Sequence, residues 1–133
     1  MKRALAAALI VAASPACAGP PVADRPVRVV EITIRHSRFQ PARFDAQTGE
    51  TVRFVVRNID PIDHELIVGD AAVQDRHEWG TEARHAGVPG EVSVAPGLTV
   101  TTSYTFAGPG VVLMGCHLPG HYAYGMRGRI RVV

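Results

Sequence analysis

The sequence predicts an all-β protein, a Greek-key β-sandwich or barrel of about seven short strands with one irregular or helical excursion around residues 70–90. Three observations carry this prediction. Apolar and polar residues alternate with a period of two through several segments. Turn residues, mainly glycine, proline, asparagine and aspartate, separate those segments. Outside the excursion, no stretch has the apolar spacing of a long helix, and this combination is typical of a sandwich.

The N-terminal residues have the pattern of an export signal. A basic start at Lys2 and Arg3 precedes an apolar run over residues 4–13, and Ala-Cys-Ala at 16–18 matches a cleavage site. The apolar run is too short to cross a bilayer as a helix, so we expect no transmembrane segment. We therefore expect cleavage near Ala18 and a periplasmic or secreted protein.

The whole chain has 133 residues, which is enough for one domain. We expect a signal peptide at 1–18, a proline-rich linker at 19–26 and a single domain at 27–133. Without the leader, arginines balance the acidic residues, which gives no reason to expect nucleic-acid binding. Lipid anchoring at Cys17 is a less favoured alternative, because the residues before it lack the aliphatic residue of a lipoprotein signal.

The first half of the domain contains three predicted strands. Alternation indicates strands over residues 27–35, 51–57 and 64–68. Phe39 and Phe44, between the first two strands, are expected to anchor the core. The apolar residues expected to share the inward faces are Val30, Ile32, Ile34, Val52, Phe54, Val56, Leu66 and Val68.

Residues 69–90 differ in character from the strands around them. Asp70 is placed to cap a short helix over residues 71–79. His77 and His85 lie in this excursion, at a spacing that fits neither a helical ligand pair nor a zinc motif. We expect both histidines to be solvated, with a second metal site there as the less favoured alternative.

Strand patterns return in the second half of the domain. We expect strands over residues 91–94, 98–106, 111–116 and 126–132. The strand at 111–116 is apolar throughout, which predicts burial on both faces. The last strand alternates apolar residues with arginines. This pattern predicts a solvent-exposed face formed by Arg127, Arg129 and Arg131.

The stretch from Cys116 to Met126 gathers a thiol, an imidazole and a thioether in one short loop. His121 lies midway between its ends, and Pro119 and Gly120 favour a compact loop over a helix. Soft sulfur ligands with imidazole select copper, and two histidines, one cysteine and a weak axial methionine form a blue-copper site. For the cysteine by itself, an inert buried thiol and intermolecular pairing stay open as alternatives.

A second imidazole must come from elsewhere in the chain. His64 is the candidate, because it begins a strand and shares the inward face of that strand with apolar residues. We predict a copper ligand set of His64, Cys116, His121 and Met126. His117 should point away by strand alternation. Such a site cycles between Cu(I) and Cu(II), and since the sequence shows no general base or open coordination position, we expect no enzymatic activity.

Several short motifs now point to one family. They are the Phe-Gln-Pro sequence at 39–41, the Gly-Glu-Thr-Val sequence at 49–52, His64 after a turn, and the Cys-x4-His-x4-Met loop at 116–126. Residues 27–133 resemble the cupredoxins, the family of azurin, plastocyanin, auracyanin and rusticyanin, and the loop spacing is similar to that of the last two.

The resemblance implies a monomeric, extracytoplasmic protein with one type 1 copper ion that shuttles single electrons. It also implies that electrons leave through His121, where redox partner proteins would dock. The expected docking patch consists of Leu118, Pro119, Tyr122 and Tyr124.

The sequence departs from the family after its first histidine. Glu65 follows His64, where family members often have asparagine or serine that helps to fix the cysteine-bearing loop. We expect Glu65 either to shift the reduction potential or to pair with an arginine such as Arg127. The alternative function is copper handling, meaning delivery, storage or tolerance, for which the remaining histidines would be weak sites: His36, His77, His85 and His117. A third interpretation is a metal-free interaction module.

Overall fold

Residues 26–133 are the part of the chain that the computed structural model describes, and they form nine strands and one helix. The predicted signal peptide at 1–18, with Cys17, and the linker up to residue 25 lie outside the described residues. The elements, in chain order, are β1 (Arg28–Ile34), β2 (Phe39–Gln40), β3 (Arg43–Ala46), β4 (Thr51–Asn58), β5 (His64–Gly69), α1 (Ala71–Glu78), β6 (Glu91–Val94), β7 (Thr99–Thr105), β8 (Gly110–Gly115) and β9 (Arg127–Val132).

The strands form two mixed sheets, which confirms the predicted β-sandwich. One sheet has the order β2-β1-β4-β7 and the other the order β3-β9-β8-β5-β6. The pairs β1–β4 and β3–β9 are parallel, whereas the other neighbours are antiparallel. The second sheet places β5, β8 and β9 side by side. Three of the predicted metal ligands, His64, Cys116 and Met126, lie at the ends of these strands, and His121 lies in the loop between β8 and β9.

The core lies between the sheets and contains the residues that alternation predicts to point inward. Burial alternates residue by residue along β4 and β9, with the arginines of β9 exposed. Phe39 is buried, and Phe44 is half-buried with its ring 6.1 Å from that of Phe54. Burying one such aromatic side chain contributes about 1.5–3 kcal/mol, so these residues stabilise the packing of the two sheets.

Strand β3 is an element that the sequence pattern does not predict. It runs from Arg43 to Ala46 and pairs in parallel with β9 over the whole of that length. Apolar and polar residues alternate only weakly along its four positions. Its hydrogen-bonding partner β9 lies more than 80 residues later in the chain. Edge strands of this kind are defined by backbone pairing with a neighbour, which local periodicity does not report.

The predicted burial of the strand at 111–116 on both faces is wrong at its start. Val111 is 57% exposed, so β8 is not buried on both faces at its start. The outer face of β8 is covered only towards its end, where α1 packs against it. Leu98, the first residue of the predicted strand at 98–106, instead lies exposed in the turn before β7, where its N–H donates to the carbonyl oxygen of Ala95.

Helix α1 forms where the sequence predicts it and covers the outer face of β5. Its N-cap is Asp70, whose Oδ1 accepts the N–H of Val73 at 2.9 Å. A Cβ atom on Gly69 would lie 2.5 Å from Cβ of Val73, so the close approach of the helix requires glycine there. The six residues of β5 are consequently all buried. No helix within residues 26–133 is long and apolar enough to cross a membrane.

Candidate metal centre

Three of the four predicted ligands converge at one end of the sandwich. His64 begins β5, Cys116 directly follows β8, and His121 lies in the loop between β8 and β9. One ligand atom from each residue lies within 4.8 Å of the others. The sulfur of Cys116 is 3.3 Å from Nδ1 of His121. Both of these residues are therefore positioned by the short loop, and His64 is brought to them by the pairing of β5 with β8.

Met126, the fourth predicted ligand, is buried at the other end of this loop. Its carbonyl oxygen accepts the N–H of Cys116 at 3.2 Å, and its own N–H donates to the carbonyl oxygen of His121 at 2.9 Å. Gly120 and Gly125 have φ values of +83° and +96°, which an L side chain rarely adopts. The glycines thus allow the loop to turn back, and backbone hydrogen bonds then join Met126 to Cys116 and to His121.

His64 has a buried ring nitrogen with no partner in the described part of the chain. Its Nε2 lies 3.0 Å from Oδ2 of Asp60, to which it donates, and Nδ1 is then unprotonated and unpaired. Burial lowers the pKa of His64, so the imidazole is neutral near pH 7. An unsatisfied buried acceptor costs about 1–3 kcal/mol, and a metal ion bound there would remove this penalty.

Asp60 was missed by the sequence reasoning, although it lies four residues before His64 in the preceding turn. Its oxygens accept the N–H groups of His36 and Ser37, each at 2.7 Å. Both donors have φ values of +51°, a left-handed conformation that the hydrogen bonds to Asp60 support. Burial by itself raises the pKa of Asp60. The N–H groups of Ser37 and His36 and the contact with His64 outweigh burial, so the pKa lies below its ordinary value. The resulting carboxylate fixes the tautomer and orientation of the His64 ring.

The thiol of Cys116 is fully buried and forms no disulfide within the described residues. Burial raises its pKa to about 12, although the backbone N–H groups of Leu118 and Glu65 face the sulfur and oppose this rise. Near pH 7 the sulfur keeps its proton unless a cation replaces it. A buried thiol, an unpaired imidazole nitrogen and a second imidazole, with the buried Met126 at the end of the same loop, form a donor set that fits a copper ion.

Glu65 holds the loop that carries the cysteine. Its side chain is buried, and Oε1 accepts the N–H of His117 at 2.7 Å, directly after Cys116. The alternative pairing with Arg127 is wrong, because that guanidinium lies over the ring of Tyr122 at 5.6 Å. Glu65 therefore takes the loop-fixing position that asparagine or serine often has in the cupredoxins.

The side chain of His117 faces away from the candidate copper ligands, as strand alternation predicts. Its Nδ1 is 2.7 Å from Oε2 of Glu78, and its Nε2 is 2.8 Å from Oε1 of Gln74. Its ring also stacks on Tyr122, with the centroids 4.5 Å apart. These contacts attach the loop to α1.

The prediction that His77 and His85 are solvated is wrong. Their side chains are 6% and 5% exposed, and their rings lie 4.8 Å apart. The segment after α1 folds back onto β6, where Oγ of Ser93 accepts the N–H of His85 at 2.8 Å and the N–H of Ser93 donates to the carbonyl oxygen of His85 at 3.0 Å. Sequence spacing does not report this return, because the connecting residues have no regular structure.

Comparison with known proteins agrees with the geometry. The pattern of the family described as copper binding proteins, plastocyanin/azurin family, matches residues 28–133. The chain is 38% identical over 114 residues to the copper-resistant cuproprotein CopI of Rubrivivax gelatinosus, covering 83% of this chain and 67% of that protein. It is 28% identical over 145 residues to the copper-resistant cuproprotein CopI of Pseudomonas aeruginosa, covering 85% of this chain and 80% of that protein.

The fold is similar to that of a solved structure, dithionite-reduced auracyanin from the photosynthetic bacterium Roseiflexus castenholzii. The TM-score is 0.66, with 22% sequence identity, over 79% of this chain and 96% of that chain. At this identity the similarity shows the shared fold alone.

Proposed function

Since the chain belongs to the plastocyanin/azurin family of copper-binding proteins, we propose that it binds one copper ion between His64, Cys116 and His121, with Met126 as a weak axial ligand. One observation carries this proposal. The buried Nδ1 of His64 has no partner in residues 26–133, and one ring nitrogen of His64 lies within 4.8 Å of a ligand atom of Cys116 and of His121. The donor set is the one that type 1 copper uses.

When bound, copper supplies one-electron chemistry between Cu(I) and Cu(II). The protein holds the donors in one arrangement for both oxidation states. Asp60 orients the ring of His64, Glu65 fixes the backbone after Cys116, and backbone hydrogen bonds close the loop at Met126. Cys116 must release its proton when the metal binds, and the backbone N–H groups that face its sulfur stabilise the thiolate.

We propose that the protein handles copper in copper tolerance, outside the cytoplasm. Two relatives named as copper-resistant cuproproteins support the role, and the signal pattern at residues 1–18 supports the location. A second candidate function is a soluble electron carrier. It is favoured by the half-buried position of His121 next to Pro119 and the exposed Tyr124, where a redox partner protein would dock.

Addition of Cu(II) to the metal-free protein tests the site. We expect an intense thiolate-to-copper absorption band in the visible spectrum that is complete at one equivalent. Cys116→Ser should lose the band and keep the circular dichroism spectrum of the fold. His36→Gln, which removes an exposed histidine, should keep the band. A folded wild-type protein that shows no such band contradicts the proposal.

Transfer of Cu(I) separates the two roles. A protein that handles copper should release Cu(I) readily to a chelating acceptor, whereas an electron carrier should retain copper through repeated reduction and oxidation. Retention of copper against the acceptor, with fast redox cycling, would favour the carrier over copper handling.

A further inference from the structure

A second group of metal-binding side chains lies on the other side of Glu65. It consists of His77 on α1, Glu82 and His85 in the segment after it, and Glu91 at the start of β6, and one ligand atom of each lies within 4.8 Å of the others. We propose that these four residues, here called the His-Glu cluster, form a second metal site that takes a divalent transition-metal ion without thiolate ligation. This site goes beyond the proposed function of the first.

The hydrogen bonding of His77 prepares one ring nitrogen for a cation. Nδ1 donates to the carbonyl oxygen of Val73 at 2.8 Å, so Nε2 carries the lone pair of the neutral ring. That nitrogen is 3.2 Å from Oε2 of Glu91, which is itself an acceptor. The two lone pairs repel each other, and a metal cation between them would turn this repulsion into two ligand bonds. Metal-binding histidines commonly donate their other N–H to a backbone carbonyl in this way.

The surroundings of His85 carry an excess of negative charge. Nδ1 is 3.3 Å from Oε2 of Glu82 and 3.5 Å from Oε2 of Glu91, and Nε2 is 3.5 Å from Oε2 of Glu65. The guanidinium of Arg76 lies 3.7 Å from the other oxygen of Glu91 and is largely exposed. One guanidinium faces three carboxylates, and a divalent cation would balance the charge that remains.

The backbone holds the two histidines before any metal binds. The two hydrogen bonds between His85 and Ser93 attach the segment to β6, and the cap at Asp70 starts the helix that carries His77. Three of the four cluster side chains line a cleft of 590 Å³ that extends to the loop at Pro119. The cleft gives an ion access from solvent. The imidazoles of His77 and His85 are almost fully buried, so their side chains should move little when a metal binds.

Two imidazole nitrogens and two carboxylate oxygens suit a borderline divalent ion. Among first-row divalent ions such donors bind Cu(II) most tightly. The cluster contains no sulfur, so it should favour Cu(II) over Cu(I) and produce no thiolate-to-copper absorption band. These properties distinguish it experimentally from the site at Cys116.

Titration of the full protein with Cu(II) tests the second site. We expect two equivalents to bind, one with the visible band and one with only the electron paramagnetic resonance signal of copper bound by nitrogen and oxygen. His77→Gln/His85→Gln should bind one equivalent and keep the band, which also reports that the fold is intact. His36→Gln, the matched control, should bind two. Cys116→Ser should lose the band and keep the second signal, so the two sites fail independently.

Two results would overturn this assignment. One is a wild-type protein that binds a single copper ion under these conditions. The other is a double variant that binds the second ion as tightly as wild type. If the double variant does not fold, Glu91→Gln supplies the test, because it keeps the size of the side chain and removes the charge. We expect Glu91→Gln to weaken the second site more than about 10-fold, since even residues that only support metal ligands contribute 10–100-fold.

Discussion

Replacement of Asp60 by asparagine should both destabilise the metal-free protein and raise the reduction potential of the copper form. The two oxygens of Asp60 accept three N–H groups, from His36, Ser37 and His64. An amide offers a single oxygen. In its better orientation the oxygen replaces Oδ2 and keeps the bonds from Ser37 and His64, while the NH2 group turns towards the N–H of His36.

The size of the effect follows from this count of donors. One hydrogen bond to a charged acceptor is lost, at about 1.5–3 kcal/mol, and the remaining two become weaker because their acceptor is neutral. We therefore expect Asp60→Asn to lower the free energy of unfolding by about 2–4 kcal/mol. In the wild type the negative charge of Asp60 near His64 stabilises Cu(II) more than Cu(I). Its removal should therefore raise the reduction potential.

Urea unfolding of the metal-free protein measures the first effect and voltammetry of the copper form measures the second. Asp63→Asn is the matched control, because Asp63 is exposed, carries the same charge and lies next to His64 in the chain. The reasoning is refuted if Asp60→Asn changes neither the unfolding free energy by more than about 0.5 kcal/mol nor the potential relative to Asp63→Asn.

Three further substitutions test the fold and both sites. Gly128→Ala would place a Cβ atom 2.5 Å from the carbonyl oxygen of Ala42. We expect the free energy of unfolding, measured by thermal unfolding, to fall by about 1–3 kcal/mol. An unchanged melting temperature would contradict this close contact. Met126→Gln should keep copper and lower the potential, because a harder oxygen ligand favours Cu(II), and an unchanged potential excludes Met126 as the axial ligand. Ser93→Ala removes the acceptor of the His85 N–H. It should weaken Cu(II) binding at the His-Glu cluster and keep the thiolate-to-copper band of the first site. Loss of that band would contradict the separation of the two sites.

Much of the sandwich and its first site was predictable because the signals are local. Alternation along β4 and β9 reports a strand with one buried face, and it correctly indicates Val52, Phe54 and Val56 as core residues. The cap at Asp70 likewise requires only the residues that follow it. The candidate ligands of the loop are close in space because they are close in the chain, and proline and glycine restrict the path between them.

His64 required one further inference, namely that its strand lies beside the strand that ends at Cys116. The pairing of β5 with β8 brings them together and agrees with that inference. The outer partners of the ligands were not predictable in this way. Asp60 contacts the ring of His64, and Glu65 contacts the backbone of His117 across 52 residues of chain. Their roles depend on which loops meet at the end of the sandwich.

By itself, the sequence determined the strand faces, the capped helix and the gathering of Cys116, His121 and Met126, because each depends on neighbours within a few residues. Only the tertiary structure decided the parallel pairing of β3 with β9 and the burial of His77 and His85 against Glu91. These features depend on backbone pairing and on charges from distant segments. Hydrogen bonds and ion pairs of that kind exist only where the tertiary fold brings distant segments together, so no local pattern encodes them.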